Sequence, residues 1–310
     1  MSAPLVTIYT GATGLNTVFD PVRIPFSADT GVTGLSVAVD ITLDESGRAG
    51  RRPGFSLATA GEFHSLFCDG RDGFVIKERE NDAAIMMIAP GDYSLSGVRD
   101  SLTKNLRMSF CQVNNQTFYC NGSENGVVEN GISFPWPTGE YIGGETSRHF
   151  SPAPVGDKLA WHKSRMFIAE GPVVWWSELF RYDLYDKARC LFQFPSRVLM
   201  IKPVDAGLFI SDENNTYFYQ FDNPEKVQDI RTVANYPALE WSDATGYIEG
   251  SEIGLDQGLC ALWASIDGAC MGTAQGGFIN LNKDNVVYDK TVRQGAGLVD
   301  RYNYIHTMTL

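Results

Sequence analysis

Residues 159–169 have the sequence LAWHKSRMFIA, in which the polar turn His162-Lys163-Ser164 separates two short apolar runs. Alternate side chains of a β-strand point to opposite faces of a sheet, so runs of this length suit a hairpin that is buried on both faces. The stretch therefore predicts two adjacent antiparallel strands, and the same pattern recurs along the chain.

Four further segments repeat this theme at intervals of about 40–60 residues, close to the length of a propeller blade. Their turns are rich in Asp, Asn and Gly, which tolerate the positive φ of tight hairpins. The segments are 64–76, 108–120, 198–211 and 260–272. Second hairpins follow at Asn214-Asn215 and Gly276-Gly277. Two successive hairpins make one four-stranded sheet. We therefore predict an all-β protein, a β-propeller of about five to six four-stranded blades, with a β-sandwich as the alternative.

The first 60 residues lack this theme and are predicted to form an N-terminal arm, with the propeller spanning 61–310. The arm contains an alternating strand candidate at 35–41, and Pro53-Gly54 prevents a helix from continuing there. Only residues 177–191 have a helical period, and a long loop is the alternative for them.

Composition limits the classes of partner. Hydrophobic residues make up 44% of the 310, which is enough for a sizeable core. The formal net charge of -12 argues against general binding to nucleic-acid phosphates. Arg48, Arg51 and Arg52 form the best local basic patch, interpreted as a solvated turn or a protein contact. No apolar run has the length of a membrane-spanning helix, and the N-terminus lacks the pattern of a secretory signal, so we expect synthesis in a cytoplasm and no membrane insertion.

The six cysteines do not form a zinc-binding pattern. Cys111 and Cys120 flank one hairpin turn, and Cys260 and Cys270 flank another. We predict buried thiols that pack as small hydrophobes, with cross-strand disulfides in these two pairs as the alternative.

No constellation of catalytic residues is evident, and we predict no catalytic, cofactor or metal site. His64, His149, His162 and His306 lie in unrelated contexts, and His64 and His162 are interpreted as structural. Glu140, Glu145 and Glu170 are the acidic residues that best fit a glycosidase, but solvated loops explain them as well. Asp residues at turns are the calcium-type candidates, although their spacing does not match a binding loop: Asp69, Asp72, Asp205, Asp212 and Asp267. Gly143-Gly144 and Gly276-Gly277 lack the Lys of a phosphate loop.

The densest aromatic segment is 175–185, WWSELFRYDLY. Aromatic residues and Arg dominate the hot spots of protein interfaces, while packing between blades is the structural alternative. The interface candidates are Trp175, Trp176, Phe180, Arg181, Tyr182 and Tyr185.

This segment also carries a resemblance to a known family. Residues 160–169, 174–185, 193–197 and 204–210 are similar to segments of tail structural proteins of tailed bacteriophages. So are 39–41 with 47–55, and 263–272. The resemblance covers most of the chain in scattered blocks, and residues 81–107 match nothing in it.

The resemblance implies a virion protein similar to the propeller-containing hub or nozzle proteins of short phage tails. Its expected partners are other copies of itself in a ring, adaptor or tube proteins of the tail, and tail fibres. DNA would contact it only in passage, and the negative charge would let DNA slide by. The alternative is a carbohydrate-binding or carbohydrate-active propeller in receptor recognition. The positions of Trp136, Trp161, Trp175 and Trp176 distinguish the two: packed between blades, or lining an open cleft beside two carboxylates.

Overall fold

The fold is described from a computed structural model. It covers residues 11–24, 32–44, 46–68, 70–140, 149–248, 257–300 and 303–309. Within these ranges the chain is almost entirely β-structure, and the helical residues are one 3-10 turn at Pro21–Arg23. Asp69, Gly143-Gly144 and Glu145, which were considered above as ligand or catalytic candidates, lie outside the described residues.

Five antiparallel sheets of four strands follow one another along the chain, and each is ordered as in the sequence. Their strands are β5 (Phe63–Cys68), β6 (Gly73–Glu78), β7 (Ala83–Ile88) and β8 (Leu95–Leu102) in blade 1; β9 (Ser109–Val113), β10 (Gln116–Cys120), β11 (Asn125–Glu129) and β12 (Ile132–Phe134) in blade 2; β13 (Lys158–His162), β14 (Arg165–Glu170), β15 (Val173–Trp176) and β16 (Leu191–Gln193) in blade 3; β17 (Val198–Val204), β18 (Gly207–Asp212), β19 (Thr216–Gln220) and β20 (Asp229–Ala234) in blade 4; and β21 (Ala244–Ile248), β22 (Gly258–Ser265), β23 (Gly268–Gly272) and β24 (Phe278–Asn280) in blade 5.

Three two-stranded sheets complete the described structure. In the arm, β1 (Ala12–Leu15) pairs in parallel with β2 (Thr33–Leu35), and β3 (Ile41–Leu43) pairs with β4 (Ala49–Arg51). At the other end of the chain β25 (Gln294–Asp300) pairs with β26 (Asn303–Thr309). The arm contacts the body where the Thr17 amide donates to the Asn285 carbonyl at 2.8 Å.

The hydrophobic core lies between consecutive sheets, which is the arrangement of a β-propeller. Phe74 and Ile85 of blade 1 pack with Tyr119 and Val128 of blade 2. The same alternation continues around the molecule through one cluster between blades 2 and 3, one between blades 3 and 4, and one between blades 4 and 5. The predicted β-propeller is therefore confirmed, with five four-stranded blades, and the β-sandwich alternative is discarded.

The five predicted hairpins are confirmed as β5–β6, β9–β10, β13–β14, β17–β18 and β22–β23. One prediction is wrong: residues 35–41 do not form a continuous strand, since β2 ends at Leu35 and β3 begins at Ile41. Asp40 has a φ of 53°, which turns the chain there.

Two further segments are assigned by the structure. Residues 177–190 form the loop between β15 and β16, and residues 81–107 contain β7 and β8 of blade 1.

The cysteine prediction can be compared directly with the strand register. Cys111 is opposite Phe118 and Cys120 opposite Ser109, while Cys260 is opposite Gly246 and Cys270 opposite Trp263. These four residues are thiols, and the two suggested disulfides are not formed. Burial raises the pKa of Cys270 to about 11, so this thiol stays protonated and packs as a small apolar group.

Candidate interaction site

The aromatic candidates lie at the end of β15 and in the loop that follows it. Trp175 and Trp176 are neighbours on a strand, so they point to opposite faces of blade 3. Trp176 is buried between blades 3 and 4, where its ring centroid lies 4.6 Å from that of Phe192. Trp175 packs toward blade 2, and its indole N–H donates to the Glu170 carboxylate at 3.1 Å. These two tryptophans therefore do not share a surface.

Tyr182 and Tyr185 anchor the loop to blade 2. Tyr185 is fully buried, exchanges backbone hydrogen bonds with Ser151, and has a pKa well above its usual value because of burial. The Tyr182 carbonyl accepts the indole N–H of Trp136 at 2.8 Å, and its hydroxyl accepts that of Trp161 at 3.1 Å. Both tyrosines therefore hold the loop in place.

The tip of the loop is exposed but rigidly built. Phe180 has a φ of 56°, which is unusual for a residue other than glycine, and 68% of its surface is exposed. Its amide donates to the Ser164 carbonyl in the β13–β14 turn at 2.9 Å. Arg181 next to it binds Asp183 through two hydrogen bonds of 2.9 and 2.8 Å. We name the exposed side chains of Trp161, Leu179 and Phe180 the blade-3 tip.

The geometry thus divides the six candidates. Trp176 and Tyr185 are core residues, Trp175 and Tyr182 are half-buried, and Phe180 and Arg181 are exposed. The sequence did not indicate that Leu179 and Trp161 would be exposed near Phe180 in the blade-3 tip. Alternation along β13 gives no signal for Trp161, because Leu159 on the same face of the strand is buried.

An open cavity of about 610 Å³ lies beside this loop, between blades 3 and 4. It is lined by Trp176, Arg189, Cys190, Leu191, Phe192, Pro224 and Glu225. A second cavity of about 540 Å³ lies between the outer strands of blades 1 and 2 and the segment 152–155, next to Trp136. Neither brings together a nucleophile, a base and a carboxylate.

The histidine prediction needs a correction at His64, which does not lie in an unrelated context. Its Nδ1 is 2.8 Å from Ser65 Oγ and its Nε2 is 2.9 Å from Glu78 Oε1, so a serine, a histidine and a carboxylate are in line. Ser65 Oγ also accepts the amide of Met108 at 2.8 Å, and Glu78 Oε1 accepts that of Asn105 at 2.9 Å. Both amides belong to the connection from blade 1 to blade 2, so the group fastens the two blades.

His162 is buried against Phe221, with the two rings at 82°. Burial is the main cause that lowers its pKa to about 4, and the neighbouring Lys163 lowers it further. This imidazole is therefore neutral at physiological pH.

The acidic candidates take part in local contacts. Asp212 Oδ1 accepts the amides of Asn214 and Asn215, and Asp205 Oδ2 accepts that of Leu259. The carbonyl of Asp267 accepts from the Asn280 side chain, and Asp72 pairs with Arg71. Among the described residues no group of three or more His, Cys, Asp or Glu side chains could hold a metal ion.

Blades 3, 4 and 5 are tied together by an inter-blade ion cluster of Asp157, Lys158, Arg197 and Glu240. Lys158 Nζ lies 2.8 Å from Glu240 Oε1 and 3.1 Å from Asp157 Oδ2. Arg197 Nη2 contacts the same two oxygens at 2.6 and 2.5 Å. The ring of Trp241 covers Lys158 with its centroid 3.7 Å from the ammonium. Since Lys158 and Glu240 are buried, these charges depend on one another.

The chain was compared with family models, with curated proteins and with solved structures. No family model matches the chain, and no curated protein matches it. A protein from Lactobacillus plantarum is similar at 11% identity and a TM-score of 0.47, covering 80% of this chain and 77% of that one. The computationally designed protein Ika8 is similar at 10% identity and a TM-score of 0.43, with 80% and 70% covered. Saccharomyces cerevisiae Sqt1 has 12% identity and a TM-score of 0.37, with 77% and 80% covered. These values assign neither family nor activity.

Among the described residues, no helix combines the length and the apolar character needed to cross a bilayer.

Proposed function

We propose that this chain is a non-enzymatic structural component of a bacteriophage tail, a hub or nozzle-like propeller that assembles into a ring of copies. The observation that carries the proposal is the blade-3 tip. Residues 160–185 bear the densest part of the resemblance to tail proteins, and they build the tip. Phe180 is held outward by a backbone hydrogen bond, as a preorganised contact residue would be. Adaptor or tube proteins of the tail are its proposed partners, with tail fibres as a further candidate.

The positions of the tryptophans favour packing between blades over sugar binding. Trp136 and Trp176 are buried, and the indole N–H groups of Trp136, Trp161 and Trp175 are all engaged within the chain. A glycosidase needs two carboxylates across a cleft, whereas sugar binding alone needs exposed aromatic faces and no carboxylate pair. Trp176 and Trp136 each line one of the two open cavities, but among the described residues the lining of these cavities contains a single carboxylate, Glu225, and not the pair that a glycosidase requires.

The first test is the composition of the virion. Mass spectrometry of particles purified from the phage that encodes the chain is expected to find it in several copies. Phe180→Asp is expected to reduce its incorporation, because a charge at the tip opposes burial in a contact. Tyr93→Asp is the matched control, since Tyr93 is similarly exposed but lies in blade 1. Virions without the protein would contradict the proposal.

The second test concerns the absence of catalysis. The Ser65–His64–Glu78 group is the arrangement most similar to a serine hydrolase, but its hydroxyl is engaged with the Met108 amide. A fluorophosphonate probe is expected to leave the folded protein unlabelled. Labelling that disappears in Ser65→Ala would show that the chain has a reactive serine.

A further inference from the structure

The C-terminal hairpin β25–β26 is half a blade. One of its faces packs on blade 5, where Val299 and Tyr304 join a cluster with Leu262 and the Tyr304 hydroxyl donates to the Ser242 carbonyl at 2.5 Å. On its other side, Arg107 Nη1 donates to the Gly295 carbonyl at 2.6 Å, next to blade 2. The hairpin thus occupies the place of a sixth blade. It has two strands where the other five have four.

The hairpin leaves an apolar face and a strand edge uncovered. Leu298 and Ile305 are directly opposite each other in the register, and their side chains are 47% and 49% exposed. Within the described part of the chain, β26 pairs only with β25. A strand edge of seven residues offers unpaired N–H and C=O groups to any extended segment that reaches it.

The arm contains an exposed segment that is free to adopt an extended conformation. Residues 51–62 are all exposed, and residues 52–62 form no strand. Phe55 and Leu57 are 87% and 82% exposed, and their spacing of two puts both on one face of an extended chain. Pro53 suits the first position of an added strand.

Charge favours a second copy of this chain as the partner. Residues 46–61 contain three arginines and no acidic residue, in a chain whose formal net charge is -12. Arg52 pairs with Asp40 of its own chain, so the exposed Arg48 and Arg51 are the arm residues that the acidic body of another copy attracts. Donor and acceptor are different surfaces of the same molecule, so their contact is head-to-tail, and head-to-tail contacts generate rings when the rotation closes.

We infer that residues 53–60 of one copy add as a strand to β26 of the next copy, with Phe55 and Leu57 covering Leu298 and Ile305. Backbone hydrogen bonds along β26 supply affinity, and the apolar pair sets the register. The inference rests on the proposed ring assembly and names the contact that builds it.

The native mass of the purified full-length protein tests the donor side. Wild type is expected to form an oligomer of defined order, and Phe55→Asp/Leu57→Asp is expected to be monomeric. Val22→Asp is the matched control, because Val22 is an exposed arm residue outside the donor segment. It should assemble like wild type. A monomeric wild type, or an oligomer that survives the double substitution, overturns the inference.

Mixing variants tests the direction of the contact. Leu298→Asp/Ile305→Asp removes the acceptor face and should also be monomeric, with circular dichroism and thermal melting used to verify that it folds. Combined with the donor variant in equal amounts, it should give a dimer and nothing larger, because only one contact of the pair remains intact. If the mixture stays monomeric although both variants are folded, the head-to-tail exchange is wrong.

Hydrogen exchange separates strand addition from other contacts. The amides of residues 54–60 should be protected in the wild-type oligomer and unprotected in the Leu298→Asp/Ile305→Asp monomer. Unprotected amides in the oligomer overturn the inference. Its failure is distinguishable from failure of the proposed function, because presence in virions is measured independently of how the copies are joined.

Discussion

His162 makes stability depend on pH at the scale of a single residue. Its pKa is lowered to about 4 in the folded protein against 6.5 for an exposed histidine, so the unfolded state binds more protons between these values. Stability is fully present above about pH 6.5 and is lost as pH falls toward 4, by at most on the order of 3 kcal/mol. Urea unfolding at pH 7 and pH 5 should show a smaller loss in His162→Phe. If the free energy of unfolding falls equally in both proteins between pH 7 and pH 5, groups other than His162 cause the pH dependence.

Position 207 requires glycine because a side chain would not fit there, and not because the backbone angle is unusual. A Cβ built there would lie 2.0 Å from the Tyr219 carbonyl oxygen on the neighbouring strand. Gly207→Ala is expected to lower the free energy of unfolding by about 2–3 kcal/mol, since the ladder must shift. The control is Gly97→Ala, where no atom lies within 4 Å and a change below about 0.5 kcal/mol is expected. Equal effects in denaturant unfolding would refute the steric argument.

The sequence could predict residue roles only where they follow from strand alternation. Trp175 and Trp176 had to lie on opposite faces, but which face was solvated depends on the neighbouring blades. Ser65, His64 and Glu78 come together through a bulge in β5 and a hairpin. No local pattern indicates a bulge, so the alignment of these side chains could not be predicted.

At the scale of elements, the inter-blade ion cluster links strands that are distant in sequence. Glu240→Gln is expected to lower the free energy of unfolding by about 2–4 kcal/mol, because Lys158 keeps Asp157 as a partner but loses the Glu240 charge. Asp229→Asn is the control: the pair of Asp229 with Arg231 is half exposed, and its loss should cost below about 1 kcal/mol. Thermal and urea unfolding measure both. A change of similar size in both variants would mean that burial does not strengthen the cluster.

The hairpins were predictable because each is specified by a short turn and two adjacent runs. The strand predicted at 35–41 does not form, because its residues 36–40 have no neighbouring strand to pair with among the described residues. Its residues alternate, but alternation gives a strand only when a neighbour pairs with it and a core covers one face. Val37 and Val39 are exposed, and the chain turns at Asp40. Which segments find a partner is a property of the whole fold.

For the whole molecule, the contrast between the exposed arm and the compact blades predicts a pattern of proteolysis. Trypsin is expected to cut after Arg48 and Arg51 in dilute monomer, and the Arg52-Pro53 bond should resist. The fragment that begins at Arg52 should keep the β-rich circular dichroism spectrum, because the clusters between blades contain no arm residues. Early cuts within blades 2 to 4 would contradict this description.

Circular closure is the least local property of the fold. Blade-to-blade packing follows from successive hairpins, so the sequence could indicate a propeller. Whether the last sheet is complete depends on strands that no local pattern supplies. The sequence therefore suggested five to six blades, and the described residues form five four-stranded blades and one two-stranded hairpin.

The hydrogen bond from Arg107 to Gly295 also has a mechanical consequence. Consecutive blades are joined by broad apolar clusters, whereas hydrogen bonds join the hairpin to the connection before blade 2 and the arm to Asn285 near the hairpin. A circle of blades whose two ends meet through few contacts is expected to be weakest at the position where the ends meet. We expect a pulling force applied between blade 1 and the hairpin to open the molecule at this seam before a blade unfolds. If residues 53–60 of a second copy add to β26 as inferred above, the force required to open this seam is expected to be higher in the oligomer than in the monomer.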